Sequence, residues 1–268
     1  GGDSFQAFSM TTGAKLGEKN SLKFVGPDGA AIELAIDKDF QTCSFGASGT
    51  FNGELVFGGY AIDSKDNGYQ DLEGIDVKGK IVIVLRKTPR QGDAHGPFAA
   101  QHGGTAPQAD LRSKVSNTFG KGAAAILLVN DPYSSRKETD GAKQKVKDLS
   151  EPVVAAAEAL LAADANNEGA VKEARAKLAD AVEKVRKQRE ANEQGNRDVL
   201  MKFGYGGFNQ GQQLPIFHIT QAAADQVLKG AFKKSLTDLE AEIDKDLKPK
   251  SAVLTGWKAE GTASVELV

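Results

Sequence analysis

The sequence is poor in the residues that most often form covalent cross-links or carry catalysis. Its 268 residues include one cysteine and three histidines. The single cysteine, Cys43, excludes an intrachain disulfide. Its closeness to Phe45 favours a small core residue over a nucleophile.

Strong net charge and long apolar runs are also missing. The formal net charge is −2 and the isoelectric point is about 6.0, which gives no general attraction to nucleic acid or to an anionic membrane. No apolar run is long enough to cross a bilayer. We therefore predict that neither nucleic acid nor a membrane is a partner. A chain of this length buries enough apolar surface to fold without a disulfide or a metal.

One motif comes close to a phosphate-binding loop and fails. Gly74, Gly79 and Lys80 have the G-x-x-x-x-G-K spacing, but Ile81 stands where such loops need Ser or Thr. A phosphate loop also opens a helix, whereas residues 81–85 read Ile-Val-Ile-Val-Leu, which is typical of a buried strand. We interpret the motif as a glycine-bearing turn that leads into a core strand.

Other catalytic patterns fail as well. Asn209 replaces the last glycine of a dinucleotide loop, Thr50 replaces the last glycine of a nucleophile elbow, and Lys65 occupies a ligand position of a calcium loop. The histidines form no H-E-x-x-H motif: they are His95, His102 and His218. His218 lies inside an apolar strand pattern, which favours a core or edge histidine. We therefore expect no enzyme activity, no bound cofactor and no metal in this chain.

Outside the middle of the chain, apolar spacing and turn residues predict short strands and helices. The predicted elements are several strands in 1–60, a strand at 81–85, a helix at 111–122, a strand at 123–131, a strand at 214–220, a helix at 221–230 that Gly230 ends, a helix at 236–247 that Thr237 caps, and strands in 252–268. The helix at 111–122 is expected to bury Leu111, Val115 and Phe119. Strand, loop, helix and strand at 81–131 resemble a βαβ crossover.

The middle of the chain has a different composition. Residues 137–200 are rich in Ala, Lys, Glu and Arg and contain no aromatic side chain. Pro152 indicates a helix start, a break follows at 166–169, and a narrow apolar seam from Val171 to Val185 indicates a second helix. The pattern predicts a helical hairpin. It is either an insertion that packs on its own seam, which we favour, or a partner-binding arm.

A long loop that leaves the predicted strand at 81–85 is the candidate contact site. Loops at the ends of core strands often carry binding residues. The loop and its end concentrate cationic side chains, namely Arg86, Lys87, Arg90, His95, His102 and Arg112. They predict a rim that attracts a peptide carboxylate or an acidic side chain. The alternative is a solvated connector whose charges only keep it soluble.

The order of four segments resembles a protease-associated (PA) domain. The segments are "GELVFGGYAI", "YQDLEGIDVKGKIVIVLR", "RSKVSNTFGKGAAAILLVND" and "LPIFHIT". The residues that match the turn of that family are Gly74, Asp76, Lys78, Gly79 and Lys80. Those that match a later strand motif are Gly122, Ala123, Ala125 and Ile126. The resemblance is greatest to the PA domain of bacterial zinc aminopeptidases of metallopeptidase family 28.

The resemblance implies a fold and a division of the chain. The implied fold class is α+β, a PA-domain-like β/β/α sandwich with flanking strands and an inserted helical hairpin. The implied segments are a flanking β segment at 1–44, a PA domain at 45–136 and 201–250, a helical insertion at 137–200, and a flanking β segment at 251–268.

The resemblance also implies a function. The chain is expected to be a non-catalytic PA accessory domain of a secreted zinc aminopeptidase, which covers the active site or selects peptide substrates. Its expected partners are the peptidase catalytic domain in cis and a peptide or protein substrate. Zinc is expected only in that catalytic domain, and the location is expected to be periplasmic or secreted. Two alternatives remain: a free-standing protein-interaction module of the same fold, and a small-molecule-binding protein that uses the glycine-rich segments 86–107 and 204–211.

Overall fold

A computed structural model describes residues 12–99, 106–194, 198–207 and 214–268. The strands are β1 (Ala14–Leu16), β2 (Ser21–Val25), β3 (Ala31–Leu34), β4 (Phe40–Thr42), β5 (Gly49–Phe57), β6 (Asp63–Ser64), β7 (Tyr69–Gln70), β8 (Ile81–Leu85), β9 (Ala125–Val129), β10 (Ile216–Ile219), β11 (Ala252–Ala263) and β12 (Val265–Leu267). The α-helices are α1 (Leu111–Gly120), α2 (Pro132–Ala162), α3 (Glu168–Gln194), α4 (Gln221–Phe232) and α5 (Leu236–Asp246). Short 3₁₀ helices lie at Lys65–Asn67 and Pro107–Ala109.

The main sheet is mixed. Its eight strands have the order β3-β2-β11-β5-β8-β9-β10-β4. Strands β5, β8, β9 and β10 are parallel to one another, and the remaining neighbours are antiparallel. With its five α-helices in the described residues, the molecule is a mixed α/β structure that is consistent with the predicted α+β class.

The central strands are apolar throughout because both of their faces are covered. Every residue of β8 and β9 is buried. Ile81 and Leu85 point into a core cluster that also contains the buried residues of α4 and α5, whereas Val82 points into a second cluster, against which Leu111 and Val115 of α1 pack. Helices on both faces of a parallel strand explain the unbroken β-branched runs in the sequence.

The loop that resembles a phosphate-binding motif is a turn, as predicted. Gly79 has a φ of 70°, a conformation that favours glycine, and its N–H donates to Gly122 O at 2.8 Å. Lys80 N donates to Val77 O at 3.0 Å, which closes the turn immediately before β8. The prediction of a strand after this motif is therefore confirmed.

Two predicted helix signals were wrong. Gly230 does not end α4: it lies inside the helix, where a Cβ would come within 2.2 Å of the Trp257 ring, so the glycine serves close packing. The helix ends at Phe232, followed by Lys233 in the left-handed conformation. The cap of α5 is Ser235 rather than Thr237, because Ser235 and Asp238 form a reciprocal capping box.

The chain forms two compact units: one comprises Gly1–Tyr133 and Asp198–Val268, and the other comprises Ser134–Arg197. The second unit contains nearly all of α2 and the whole of α3, with Asn192 Nδ2 donating to Ala142 O at 3.0 Å between the two helices. Pro152 was predicted as a helix start, and this was wrong, because α2 begins at Pro132 and runs through it. The residues between Gly141 and Pro152 are mostly good helix formers, and they outweigh the cost of an interior proline.

Candidate functional site

The carboxyl ends of the parallel strands β5, β8, β9 and β10 meet at one edge of the sheet. In open α/β sheets this edge is the usual place for binding residues. Polar side chains lie there on both faces, because Asn130 and Asp131 follow β9 in succession and successive residues of an extended chain point in opposite directions. We call the two groups the outer cluster (Arg86, Asn130, Asp198, Tyr205, His218) and the inner cluster (Tyr60, Tyr69, Asp71, Lys114, Asp131).

Asn130 is the centre of the outer cluster. Its Oδ1 accepts from Arg86 at 2.7 Å, and its Nδ2 donates to Asp198 Oδ1 at 2.9 Å and to Val199 O at 3.0 Å. The same Oδ1 lies 3.2 Å from His218 Nε2. The amide therefore joins the end of β8, the end of β9 and the segment before β10 in one hydrogen-bond network.

His218 is a neutral core histidine, as predicted. The side chain is fully buried, and burial together with nearby Arg86 lowers the pKa of His218 to about 3. Its Nδ1 accepts from Met201 N at 2.9 Å, so the ring proton lies on Nε2, which donates to Asn130. The ring orients Asn130, and Asn130 in turn orients the guanidinium of Arg86.

Arg86 and Tyr205 form the accessible part of the outer cluster. The guanidinium carbon lies 5.2 Å from the centre of the Tyr205 ring, within the range of a cation–π contact. Tyr205 is 61% exposed, and Arg86 is half-buried. Arg86 Nε is buried and has no hydrogen-bond partner among the described residues. A positioned cation beside an exposed aromatic ring is suited to contact with a carboxylate or an extended peptide.

The inner cluster contains buried charged groups. Asp71 accepts hydrogen bonds from Tyr60 N at 3.1 Å, Ile62 N at 3.0 Å and Tyr69 Oη at 3.0 Å. Lys114 Nζ donates to Tyr60 O and lies 5.5 Å from the centre of the Tyr60 ring. The hydrogen bond from Lys114 therefore holds α1 against the segment that follows β5.

Burial shifts the pKa of each ionisable group in this cluster. It lowers the pKa of Lys114 to about 8 against the opposing attraction of Asp131 and Asp71. It raises the pKa of both Asp71 and Asp131 to about 7, with the charge of Lys114 acting in the opposite direction. It also raises the pKa of Tyr60, whose hydroxyl has no hydrogen-bond partner among the described residues.

The predicted contact residues do not all lie together. Arg86 and Lys87 follow β8 at the carboxyl edge, and Lys87 N donates to Asp131 at 3.0 Å. Arg90 is used by the fold: its side chain donates to Asp244 O at 2.6 Å and to Lys245 O at 2.9 Å, at the carboxyl end of α5. His95 in the loop and Arg112 in the first turn of α1 are exposed. His102 lies outside the described residues. The substrate role of this set stays a prediction.

Sequence reasoning missed the inner cluster. It took the apolar face of α1 to be Leu111, Val115 and Phe119, whereas Phe119 is 39% exposed and the helix fully buries Lys114 and Thr118. A lysine on a helix is ordinarily interpreted as solvated. One signal was available: Asn130 and Asp131 directly follow a predicted parallel strand, where polar residues meet those of the neighbouring strands.

Within the described ranges, no group of three or more His, Cys, Asp or Glu side chains is arranged to hold a metal ion. None of the helices that the structure describes is both long and apolar enough to cross a membrane.

Comparison with known proteins bears on the same region. The family model of the PA domain matches residues 51–166. The chain contains a PA domain. The matched range runs from β5 to the end of α2 and includes Arg86, Lys114 and Asp131, so the PA domain supplies most of the carboxyl edge. No curated protein matches the chain.

Proposed function

We propose that the chain is the non-catalytic PA accessory domain of a secreted zinc aminopeptidase of metallopeptidase family 28. In this proposal it selects peptide substrates, or covers the active site, through the outer cluster. We also propose that the chain has the β/β/α sandwich arrangement of a PA domain. The match of residues 51–166 to the PA domain, a domain that often accompanies proteases, supports it.

The observation that carries the substrate role is the pairing of Arg86 with Tyr205. Asn130 holds one terminal nitrogen of Arg86 at 2.7 Å, which limits the rotamer freedom that the side chain loses on binding. The Tyr205 ring offers an exposed apolar face next to that charge. A guanidinium beside an aromatic ring matches the carboxylate and the side chain of an acidic peptide residue.

The remaining parts of the proposal follow from the resemblance to family 28. The partner in cis is the peptidase catalytic domain, which holds the zinc ions and performs hydrolysis. The substrate is a peptide or protein, and the location is extracytoplasmic.

The second candidate is a free-standing protein-interaction module of the PA fold, and the helical unit favours it. Val154 is 58% exposed and Leu161 is 87% exposed, seven residues apart on α2. Positions seven apart lie on the same face of a helix, which gives this helix an accessible apolar strip. In this role the hairpin is the contact arm.

Steady-state kinetics of the complete gene product test the first candidate. Arg86→Ala is expected to raise KM for acidic peptides about tenfold with little change in kcat, because a charge-assisted hydrogen bond is lost in ground and transition state alike. Arg175→Ala, at an exposed arginine on α3 outside the predicted contact set, is the matched control and should leave both constants unchanged. A KM that does not move in Arg86→Ala would contradict the substrate role. A gene product without peptidase activity would favour the interaction module.

A further inference from the structure

The inner cluster places one buried cation beside two buried carboxyl groups. Lys114, Asp71 and Asp131 are each 1% exposed. Lys114 interacts with both aspartates. If both aspartates were ionised, the group would carry a net negative charge in a region without access to water, which is unfavourable. One lysine balances one aspartate, so the second carboxyl group is stabilised in its protonated form.

The hydrogen bonds distinguish the two aspartates. Asp71 accepts from three donors, namely Tyr60 N, Ile62 N and the Tyr69 hydroxyl. Three donated hydrogen bonds favour a charged carboxylate. Asp131 has fewer donors than Asp71: Lys87 N, which lies 3.0 Å and 3.2 Å from its two oxygens, and its own backbone N–H.

The surroundings of Asp131 also favour its protonated form. Glu240 of α5 acts on Asp131 and raises its pKa further. Asp131, Glu240 and Asp244 all act on Tyr60, so negative groups from β9 and α5 converge on this ring. Glu240 accepts from Tyr133 N at 3.1 Å and Asp244 accepts from Arg90 N at 2.7 Å, so both are fixed in place. The positive group within the cluster is Lys114, which acts in the opposite direction and attracts Asp131 more strongly than Asp71.

We propose that the inner cluster is a proton-sensing site in which Asp71 and Asp131 share one proton near neutral pH, with Asp131 as its main holder. Loss of the proton adds a second buried negative charge beside a single ammonium and so lowers the stability of the folded chain. This property does not depend on the proposed peptidase context.

The sign of the pH effect follows from the direction of the shift. The pKa of Asp131 is raised in the folded chain from its ordinary value of 3.8 to about 7. The folded chain therefore binds more protons than the unfolded chain between these values, and this contribution to stability is lost as the pH rises towards 7. His218 acts in the opposite direction, since its pKa is lowered from 6.5 to about 3 and its contribution is lost as the pH falls. Asp71 has a slope of the same sign as Asp131, and His218 offsets part of both, so a variant of Asp131 is needed to isolate its contribution.

Urea unfolding, followed by the fluorescence of Trp257, isolates the contribution of Asp131 to the pH dependence of stability. Trp257 is the only tryptophan and lies in β11, so its fluorescence reports on the sheet-bearing unit. Asp131→Asn imitates the protonated carboxyl group. Relative to the original chain, the variant is expected to gain at least about 0.5 M in urea midpoint between pH 5 and pH 7.5. Asp66→Asn, at an exposed aspartate, should show no such gain. Parallel pH profiles of Asp131→Asn and the original chain would overturn the proposal.

Carbon-13 NMR of the carboxyl groups in the original chain gives a second test that needs no variant to fold. The Asp131 carboxyl signal is expected to titrate between about pH 6 and pH 8, well above the ordinary aspartate value of about 3.9. The Asp71 signal should show the smaller part of the change over this range, because the two carboxyl groups share one proton. An Asp131 midpoint below about 5, or an Asp71 signal that titrates in place of Asp131, would overturn the assignment.

Discussion

The two compact units use charged side chains in opposite ways. The sheet-bearing unit buries Lys114, Asp71 and Asp131 almost completely. The helical unit keeps its ion pairs in solvent. Arg186 is 57% exposed and contacts Glu183 on the preceding turn of α3 and Glu190 on the following turn. A buried charge with defined donors fixes the position of several chain segments, whereas an exposed pair mainly keeps a helix soluble. Removal of a charged side chain should therefore lower stability more in the sheet-bearing unit than in the helical unit.

The largest effect is expected from removal of the buried cation. Lys114→Met should lower the free energy of unfolding of the sheet-bearing unit by about 3 kcal/mol, because it leaves the charge of Asp71 uncompensated. Urea unfolding followed by Trp257 fluorescence measures the change. Lys121→Met, at an exposed lysine just after α1, is the control and should change stability by less than about 0.5 kcal/mol. Equal effects in the two variants would show that burial of Lys114 does not matter.

A pair of helical glycines compares packing in the two units. In α4, a Cβ on Gly230 would lie 2.2 Å from the Trp257 ring, so Gly230→Ala should cost about 1–3 kcal/mol. In α2, a Cβ on Gly141 would meet no atom within 4 Å, so Gly141→Ala should stabilise its helix by up to about 1 kcal/mol. Thermal unfolding followed by circular dichroism measures both. Changes of the same sign would contradict the packing difference.

The smallest effect is expected from the exposed ion pairs. Arg186→Ala should reduce the stability of the helical unit only slightly, by much less than the loss expected for Lys114→Met, since pairs at this exposure are screened by solvent. The loss should shrink further in 1 M salt, where screening is nearly complete. Helicity measured by circular dichroism during thermal unfolding at both salt concentrations tests this. A larger loss that salt does not reduce would mean that Arg186 acts through packing.

The central sheet could be predicted from the sequence because its signals are local. The apolar runs at 81–85 and 123–131 and the turn at Gly79 depend on neighbouring residues, and all three are confirmed. The buried role of Lys114 could not be predicted in this way. It depends on a carbonyl oxygen 54 residues earlier and on aspartates from two other segments, which only the folded sheet brings together.

Helix ends show the same limit of local reasoning. The glycine at position 230 resembles a stop signal, and its true role is set by a tryptophan in β11. Pro152 resembles a start signal, and the long helix around it continues through the position. In the candidate site, Arg86 was predicted as a contact residue, whereas its partners Asn130 and Tyr205 were not, because they are 44 and 119 residues away along the chain.

The central claim is that Arg86 and Tyr205 form the peptide contact of this PA domain. The most direct test is NMR titration of the chain with a short acidic peptide that has a free carboxyl terminus, and with its neutral, amidated counterpart. The account predicts saturable shifts of the Arg86 Nε–H, Asn130 side-chain amide and Tyr205 ring signals with the acidic peptide, and their loss in Tyr205→Ala. Shifts that are absent at these residues, or equal for both peptides, would contradict it.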